Sequence, residues 1–105
     1  MKYENKDVGY SFEVPDTLTV RQQLGARRRM FAVSLDDHTH WERFLAGGLP
    51  LIQKWKCEHV ADLAAVDLDK ETSTEITNVI MMVGTDLSNY FTDIANVKKT
   101  NPGGG

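Results

Sequence analysis

Residues 72–97, TSTEITNVIMMVGTDLSNYFTDIANV, are the stretch that decides the fold. Apolar residues recur every three or four positions along it, as they do on one face of an α-helix. They are Ile76, Val79, Ile80, Val83, Leu87, Tyr90, Phe91, Ile94 and Val97. A helix of this length measures roughly 39 Å at ~1.5 Å per residue, which is long for a chain of 105 residues. The sequence therefore predicts a protein built on a helical core.

Signals at both ends of this stretch support the helix. Thr72 and Glu75 have the spacing of a capping box, in which the side chains of the first and fourth residues accept each other's backbone N–H groups. Acidic residues precede the stretch and Lys98 and Lys99 follow it, which suits the direction of the helix dipole. Residues 101–105, NPGGG, predict a flexible tail.

Residues 1–15 predict a short β segment. Tyr10, Phe12 and Val14 alternate with polar residues, which is the period of a strand, and Pro15 ends the pattern. Gly9 suits a turn, so Met1–Lys6 are a candidate for the other strand of a hairpin.

Two further helices are predicted between this segment and the long helix. Thr19 and Gln22 form a capping box, which predicts a first helix over Thr19–Ser34. A second helix is predicted over Asp37–His59, because its large apolar residues keep helical phase throughout. Pro50 interrupts that helix, and the pattern leaves a kink and a split into two short helices equally open. The predicted fold is mainly α, a small bundle of three to four helices with a short N-terminal β segment or hairpin, forming one domain over residues 1–100.

Charge is unevenly distributed along the chain. Residues 57–97 hold eight acids and one base, whereas residues 1–56 hold nine bases and seven acids. The basic face that nucleic-acid binding needs is absent from this pattern, so we expect no nucleic-acid partner. No apolar run approaches the length of a membrane span, so we expect no membrane partner either. The single cysteine allows no internal disulfide and favours a reducing, intracellular compartment.

Three short segments carry side chains that are common in metal or catalytic sites. Asp36–His40 places two histidines two residues apart, whereas a helical zinc site needs them four apart. Cys57 and His59 would point away from each other on a helix, so we expect a half-buried cysteine near a helix end. Asp67–Glu71 resembles the start of a calcium loop but lacks the glycine and glutamate that complete it. We therefore expect no metal, no cofactor and no catalytic residues.

Two features of the sequence suggest surfaces that bind a protein. Arg27–Arg29 are favoured as a solvated face or as ion-pair partners of the acidic half, with contact to an acidic partner as the alternative. Large apolar side chains on the two later helices pack in the core by default, and the alternative is an exposed docking patch. The candidate partner-binding residues are Trp41, Leu45, Ile52, Trp55, Met81 and Met82.

Most of residues 10–100 resemble the tail assembly chaperones of long-tailed bacteriophages. The segments that carry the resemblance are Phe12–Pro15, Leu18–Leu24, Leu51–Glu58, Asp67–Asp69 with Thr72, and Val79–Gly84. The resemblance implies a small, mainly helical protein without catalytic residues that covers helical segments of the tape-measure protein in the host bacterial cytoplasm. It also implies production in two forms by ribosomal frameshifting, for which a run of G encoding Gly103–Gly105 would be a suitable slippery site.

Three functions follow as hypotheses. The first is a non-enzymatic tail assembly chaperone that binds the tape-measure or another tail protein and self-associates. The second is a phage-encoded inhibitor of a host defence protein that acts through an acidic helical face. The third is a small enzyme, which we rank last because no acid–base pair or nucleophile has a workable spacing.

Overall fold

The protein is an α+β domain in which three helices pack with a three-stranded antiparallel sheet. A computed structural model describes residues 1–100, with side-chain surroundings for residues 1–94. The elements are β1 (Lys2–Asn5), β2 (Tyr10–Glu13), α1 (Val20–Phe31), α2 (His40–Gly48), β3 (Gln53–Cys57) and α3 (Thr74–Thr100), with one-turn 3-10 helices at Leu49–Leu51 and Leu63–Ala65. The sheet order is β1-β2-β3. The predicted mainly α bundle is therefore wrong, because a segment assigned to the second helix forms the third strand.

The N-terminal hairpin is confirmed. β1 pairs with β2 from Lys2 opposite Glu13 to Asn5 opposite Tyr10. Gly9 has a φ of +88°, a conformation that glycine adopts without the steric cost of a side chain. The turn is closed by the backbone N–H of Gly9, which donates to the carbonyl of Asn5 at 2.8 Å. Tyr10 and Phe12 on β2 are buried, as the alternation predicts.

The segment after α2 is where the sequence prediction fails. Pro50 has no N–H to donate to the carbonyl of Ala46, so α2 ends at Gly48 and a single 3-10 turn follows. The chain is extended at Ile52, with φ −70° and ψ 131°, and then runs antiparallel to β2. Lys54 has a φ of +53° where the pairing with β2 shifts register between Ser11 and Glu13. A split is therefore observed rather than a kink, but its second part is a strand and not a helix.

The long helix is confirmed, with its cap one residue later than predicted. Ser73 rather than Thr72 caps it, since the N–H of Ile76 donates to Ser73 Oγ at 3.3 Å. Val79, Val83, Leu87 and Tyr90 on α3 are completely buried between α2 and the sheet. The predicted tail, residues 101–105, lies outside the described residues.

Two hydrogen bonds from buried tyrosines tie α3 to the N-terminal segment. The hydroxyl of Tyr90 donates to the carbonyl of Pro15 at 2.6 Å, and that of Tyr10 donates to Asp86 Oδ2. Burial raises the pKa of Tyr90 to about 12, so this hydroxyl keeps its proton at neutral pH. The sheet is therefore part of the core and not a peripheral arm.

Glycines let α2 contact both of its neighbouring helices closely. A Cβ placed on Gly84 of α3 would lie 2.9 Å from Trp41 Cβ and 3.0 Å from Trp41 Cα. A Cβ placed on Gly47 of α2 would lie 2.3 Å from Met30 Cγ of α1. As a result, α2 lies between α1 and α3 and packs on both.

The first helix is capped as predicted. Thr19 Oγ1 accepts from the N–H of Gln22 at 3.1 Å, and Gln22 Oε1 accepts from the N–H of Thr19 at 2.9 Å. The helix ends at Phe31, three residues before the predicted end. The start of α2 shows a second capping box, formed by Thr39 and Glu42, which replaces the predicted start at Asp37.

Candidate protein-binding surfaces

The structure brings together only two of the six predicted partner-binding residues. Trp41 and Met81 both line a cleft between the start of α2, the start of α3 and the loop at 66–71. Met82 is 36% exposed on α3 but does not line that cleft. Leu45 is buried in the core, and Ile52 is half-buried against it.

Trp55 does not share a face with Trp41, because it lies on β3. Its ring stacks on that of Tyr10 with centroids 5.9 Å apart, and its indole N–H donates to the carbonyl of Val60 at 2.8 Å. The prediction that the large apolar residues of Asp37–His59 keep one helical phase is therefore wrong, since the helix that would align Trp41 with Trp55 ends at Gly48.

The cleft that contains Trp41 has an apolar lining with carboxylates among it. We call it the acidic cleft. Its volume is about 320 Å³. It is lined by Trp41, Leu68, Ile76, Ile80 and Met81, by the carboxylates Glu42 and Glu71, and by Thr39, Val66 and Thr77. Leu68 is 45% exposed. The lining contains two acids and no base.

The acidic residues around this cleft are held by backbone N–H groups. Glu42 Oε2 accepts from the N–H of Thr39 at 2.6 Å, and Glu71 Oε1 accepts from those of Thr72 and Ser73 at 3.1 Å each. Hydrogen bonds from its own backbone and from Ser73 hold the pKa of Glu75 below its usual range. These carboxylates are ordered at helix starts, where negative charge is stabilised by the helix dipole.

A second surface, on α1, was not predicted. Val20, Leu24 and Phe31 are 70%, 63% and 71% exposed, although all three are large and apolar. With 3.6 residues per turn these three positions and Arg27 fall within about 60° of arc, so they form one stripe. We call these four residues the α1 stripe. The residue of α1 that is buried is Ala26, which lies about 100–160° around the helix from the stripe.

The arginines of α1 fall into two groups. Arg29 points back to the fold, donating from Nε to the carbonyl of Ala46 at 3.2 Å and from Nη2 to that of Gly47 at 2.8 Å. Arg27 and Arg28 are exposed, and neither makes an ion pair within the described residues. The predicted ion pairs between Arg27–Arg29 and the acidic half are therefore absent from that part of the chain. α1 contains no acidic residue, so its exposed surface is apolar and basic.

Signals for the α1 stripe exist in the sequence but are easily misread. The apolar residues of α1 have helical spacing, which normally indicates a face that packs in the core. Arg27 interrupts that face, and a charged residue in the middle of an apolar stripe argues against burial. Leu68 of the acidic cleft carries no comparable signal, because it lies in a loop without periodicity.

The three segments with metal-type or catalytic side chains have other roles. His38 Nδ1 lies 3.2 Å from the carbonyl of Ser34 in the turn between α1 and α2. Asp67 Oδ1 accepts from the N–H of Asp69 at 3.0 Å. Cys57 is half-buried, as predicted, but it lies on β3 and not near a helix end. Within residues 1–94, no group of three or more His, Cys, Asp or Glu side chains is placed to hold a metal ion.

None of the described helices combines the length and the apolar character required to cross a membrane.

Comparisons with known proteins gave no match. No family model matches this chain, and neither the search of curated proteins nor that of solved structures found a significant similarity.

Proposed function

We propose that this protein is a non-enzymatic phage tail assembly chaperone that binds a helical segment of the tape-measure protein in its acidic cleft, in the cytoplasm of the host bacterium. The observation that carries the proposal is the composition of the cleft, in which the exposed Leu68 and the half-buried Trp41 and Met81 lie beside two carboxylates. The resemblance of the sequence to tail assembly chaperones supplies the identity of the partner.

The chemistry of the cleft defines the segment that it accepts. Trp41, Leu68 and Met81 offer an apolar surface to the side chains that one face of a helix presents at every third or fourth position. Glu42 and Glu71 favour lysine or arginine on the flanks of that face, because opposite charges steer a partner and fix its register. The preferred ligand is therefore an amphipathic helix with a basic margin.

Methionine at the edge of the cleft suits a protein that covers many segments of one long partner. The thioether side chain of Met81 is flexible and polarisable, so it can adapt to different apolar side chains. Leu68 belongs to a loop and is exposed, so it is free to cover a bound helix. Binding of this kind needs no catalytic group.

The test is binding of synthetic helical peptides from the tape-measure protein encoded beside this chain, followed by fluorescence anisotropy. Leu68→Glu places a charge in the cleft, and we expect it to weaken binding at least about tenfold, since hot-spot contacts contribute ~1.4 kcal/mol or more. Met82→Glu is the matched control, because it adds the same charge at an exposed position of α3 that does not line the cleft. Wild-type protein that binds none of these peptides at concentrations where it is monomeric would refute the proposal.

The acidic inhibitor is the weaker candidate. Imitation of a nucleic-acid backbone needs a row of regularly spaced negative charges, whereas the cleft has two acids, Glu42 and Glu71, in a mostly apolar lining. Inhibition of a purified host nuclease by wild-type protein, lost in Glu71→Gln, would favour the inhibitor over the chaperone.

A further inference from the structure

The α1 stripe is an exposed apolar surface with no cover in the described structure. Three large apolar side chains, each more than 60% exposed, lie along three turns of one helix. Isolated exposed apolar residues are common, but an aligned set on one helix face indicates a contact surface. The stripe therefore calls for an occupant whose chemistry it matches.

The charges around the stripe specify that occupant. Arg27 belongs to the stripe, and Arg28 and Arg21 are exposed on the same helix, which has no acid to balance them. The matching partner has an apolar groove with carboxylates and without bases. The acidic cleft has this composition, with Trp41, Leu68 and Met81 beside Glu42 and Glu71.

The two surfaces of one molecule cannot meet each other. α2 lies between α1 and α3 and packs on both. Arg29 of α1 is bonded to the carbonyls of Ala46 and Gly47, which holds α1 against the end of α2 remote from Trp41. A contact between stripe and cleft therefore joins two molecules.

We infer that the α1 stripe of one copy docks into the acidic cleft of a second copy, so that the protein associates head to tail. The contact pairs Leu24 and Phe31 with the apolar lining of the cleft, and pairs Arg27 and Arg28 with the carboxylates of Glu42 and Glu71. Because the contact is not self-complementary, each added copy presents a free stripe at one end and a free cleft at the other. The product is a ring or an open chain of copies.

Self-association of this kind regulates the cleft. A copy that occupies the cleft excludes a tape-measure helix, so the protein stores itself as oligomers and releases copies when the partner appears. This competition, but not the head-to-tail contact itself, rests on the proposed function.

Sedimentation of complementary variants tests the contact. Leu24→Glu places a negative charge in the α1 stripe and leaves the acidic cleft unchanged. Leu68→Glu places one in the acidic cleft and leaves the α1 stripe unchanged. We expect wild-type protein to form larger species with increasing concentration, and each variant alone to sediment as a monomer. An equimolar mixture of the two variants should form a one-to-one dimer and nothing larger, because each variant retains one half of a single contact.

Controls separate this contact from other causes of association. Met82→Glu should associate as wild-type protein does, and circular dichroism should show that all three variants are folded. Association should weaken as the salt concentration rises from about 0.1 M to about 1 M, because screening acts on the arginine–carboxylate pairs. Wild-type protein that stays monomeric, Leu24→Glu that still forms oligomers, or a mixture that stays monomeric would each overturn the inference. Binding of monomers to vesicles of anionic lipid, lost in Leu24→Glu, would overturn it by assigning the stripe to a membrane.

The peptide experiment distinguishes failure of this inference from failure of the proposed function. Leu24→Glu should bind tape-measure peptides at least as well as wild-type protein, because its cleft is intact and free. Peptide binding without self-association overturns only the inference. Self-association of wild-type protein, together with no peptide binding by Leu24→Glu, overturns only the proposed function.

Discussion

α1 and α3 are both amphipathic helices, yet they use their apolar faces in opposite ways. The apolar face of α3 supplies four residues that have no exposure at all, Val79, Val83, Leu87 and Tyr90. The apolar face of α1 is turned to the surface, and the helix contacts the fold through Ala26, Met30 and Arg29. Helical periodicity therefore indicates that one face of a helix is apolar, but it does not decide whether that face is buried within the same molecule.

The strongest test of this contrast uses one substitution in each helix. Leu87→Ala in α3 should lower the free energy of unfolding by about 2–5 kcal/mol, because it removes buried methyl groups and leaves a cavity. Leu24→Ala in α1 should change it by less than ~0.5 kcal/mol, since the side chain is exposed. Urea denaturation of both variants at a concentration where the protein is monomeric gives the comparison. Equal losses would mean that the α1 stripe is covered within the molecule.

Substitution of one glycine in each of the same two helices should give smaller stability changes, which have opposite signs in α3 and α1. Gly84→Ala in α3 should destabilise the fold by about 1–3 kcal/mol, because the new methyl group meets the backbone of Trp41 at 3.0 Å. Gly25→Ala in α1 should stabilise it by up to ~1 kcal/mol, since alanine is the better helix former. The atom that a new Cβ at Gly25 would meet is Nη1 of Arg29, at 3.2 Å, which must shift by a few tenths of an ångström and makes neither of the hydrogen bonds that Arg29 donates to α2. Thermal unfolding measures both, and a stabilising Gly84→Ala would contradict the close packing of α2 on α3.

The smallest expected effect is a pH dependence of the free energy of unfolding, which arises from Asp86 on α3 and has no counterpart on α1. Burial raises the pKa of Asp86 on α3, and the hydrogen bond from Tyr10 opposes that rise. A raised pKa in the folded state means that the contribution of Asp86 to stability is fully present below its unfolded value of 3.8 and is lost as the pH rises through the folded value.

Two variants isolate this dependence. Asp86→Asn should remove it, so wild-type protein should become less stable relative to Asp86→Asn as the pH rises above 3.8. Tyr10→Phe removes the donor that lowers the pKa of Asp86, so the pKa in the folded state should rise further. The contribution of Asp86 to stability should then be lost over a range that extends to higher pH. Urea midpoints measured across this range check both. A wild-type profile parallel to that of Asp86→Asn would show that Asp86 ionises as freely in the folded state as in the unfolded state.

Elements specified by local chemistry were predictable. The capping box at Thr19 and Gln22 and the turn at Gly9 depend on residues a few positions apart, so their geometry follows from the sequence. The long helix was equally predictable, because its period is maintained over many turns. Its cap was displaced by one residue, since Thr72 and Ser73 are both competent and only the path of the loop selects between them.

The surfaces were less predictable than the individual capped elements. Trp41 and Met81 were recognised as candidates, and both line the acidic cleft. Leu68 was missed because its position in the cleft depends on how the loop at 66–71 lies against α2 and α3. The α1 stripe was missed because the same pattern describes a buried and an exposed helical face.

By itself the sequence determined the turn at Gly9, the start of α1 and the break at Pro50, because glycine conformation, capping and the missing N–H of proline act within a few residues. Only the tertiary structure decided that Gln53–Cys57 is a strand and that α1 turns its apolar face outward. The free edge of β2 offers Gln53–Cys57 partners that lie 40 to 47 positions earlier in the chain, and this pairing outweighs the local helical pattern. Gly47 and Arg29 fix the side of α1 that meets α2, and the opposite choice would bury Arg27 without a partner.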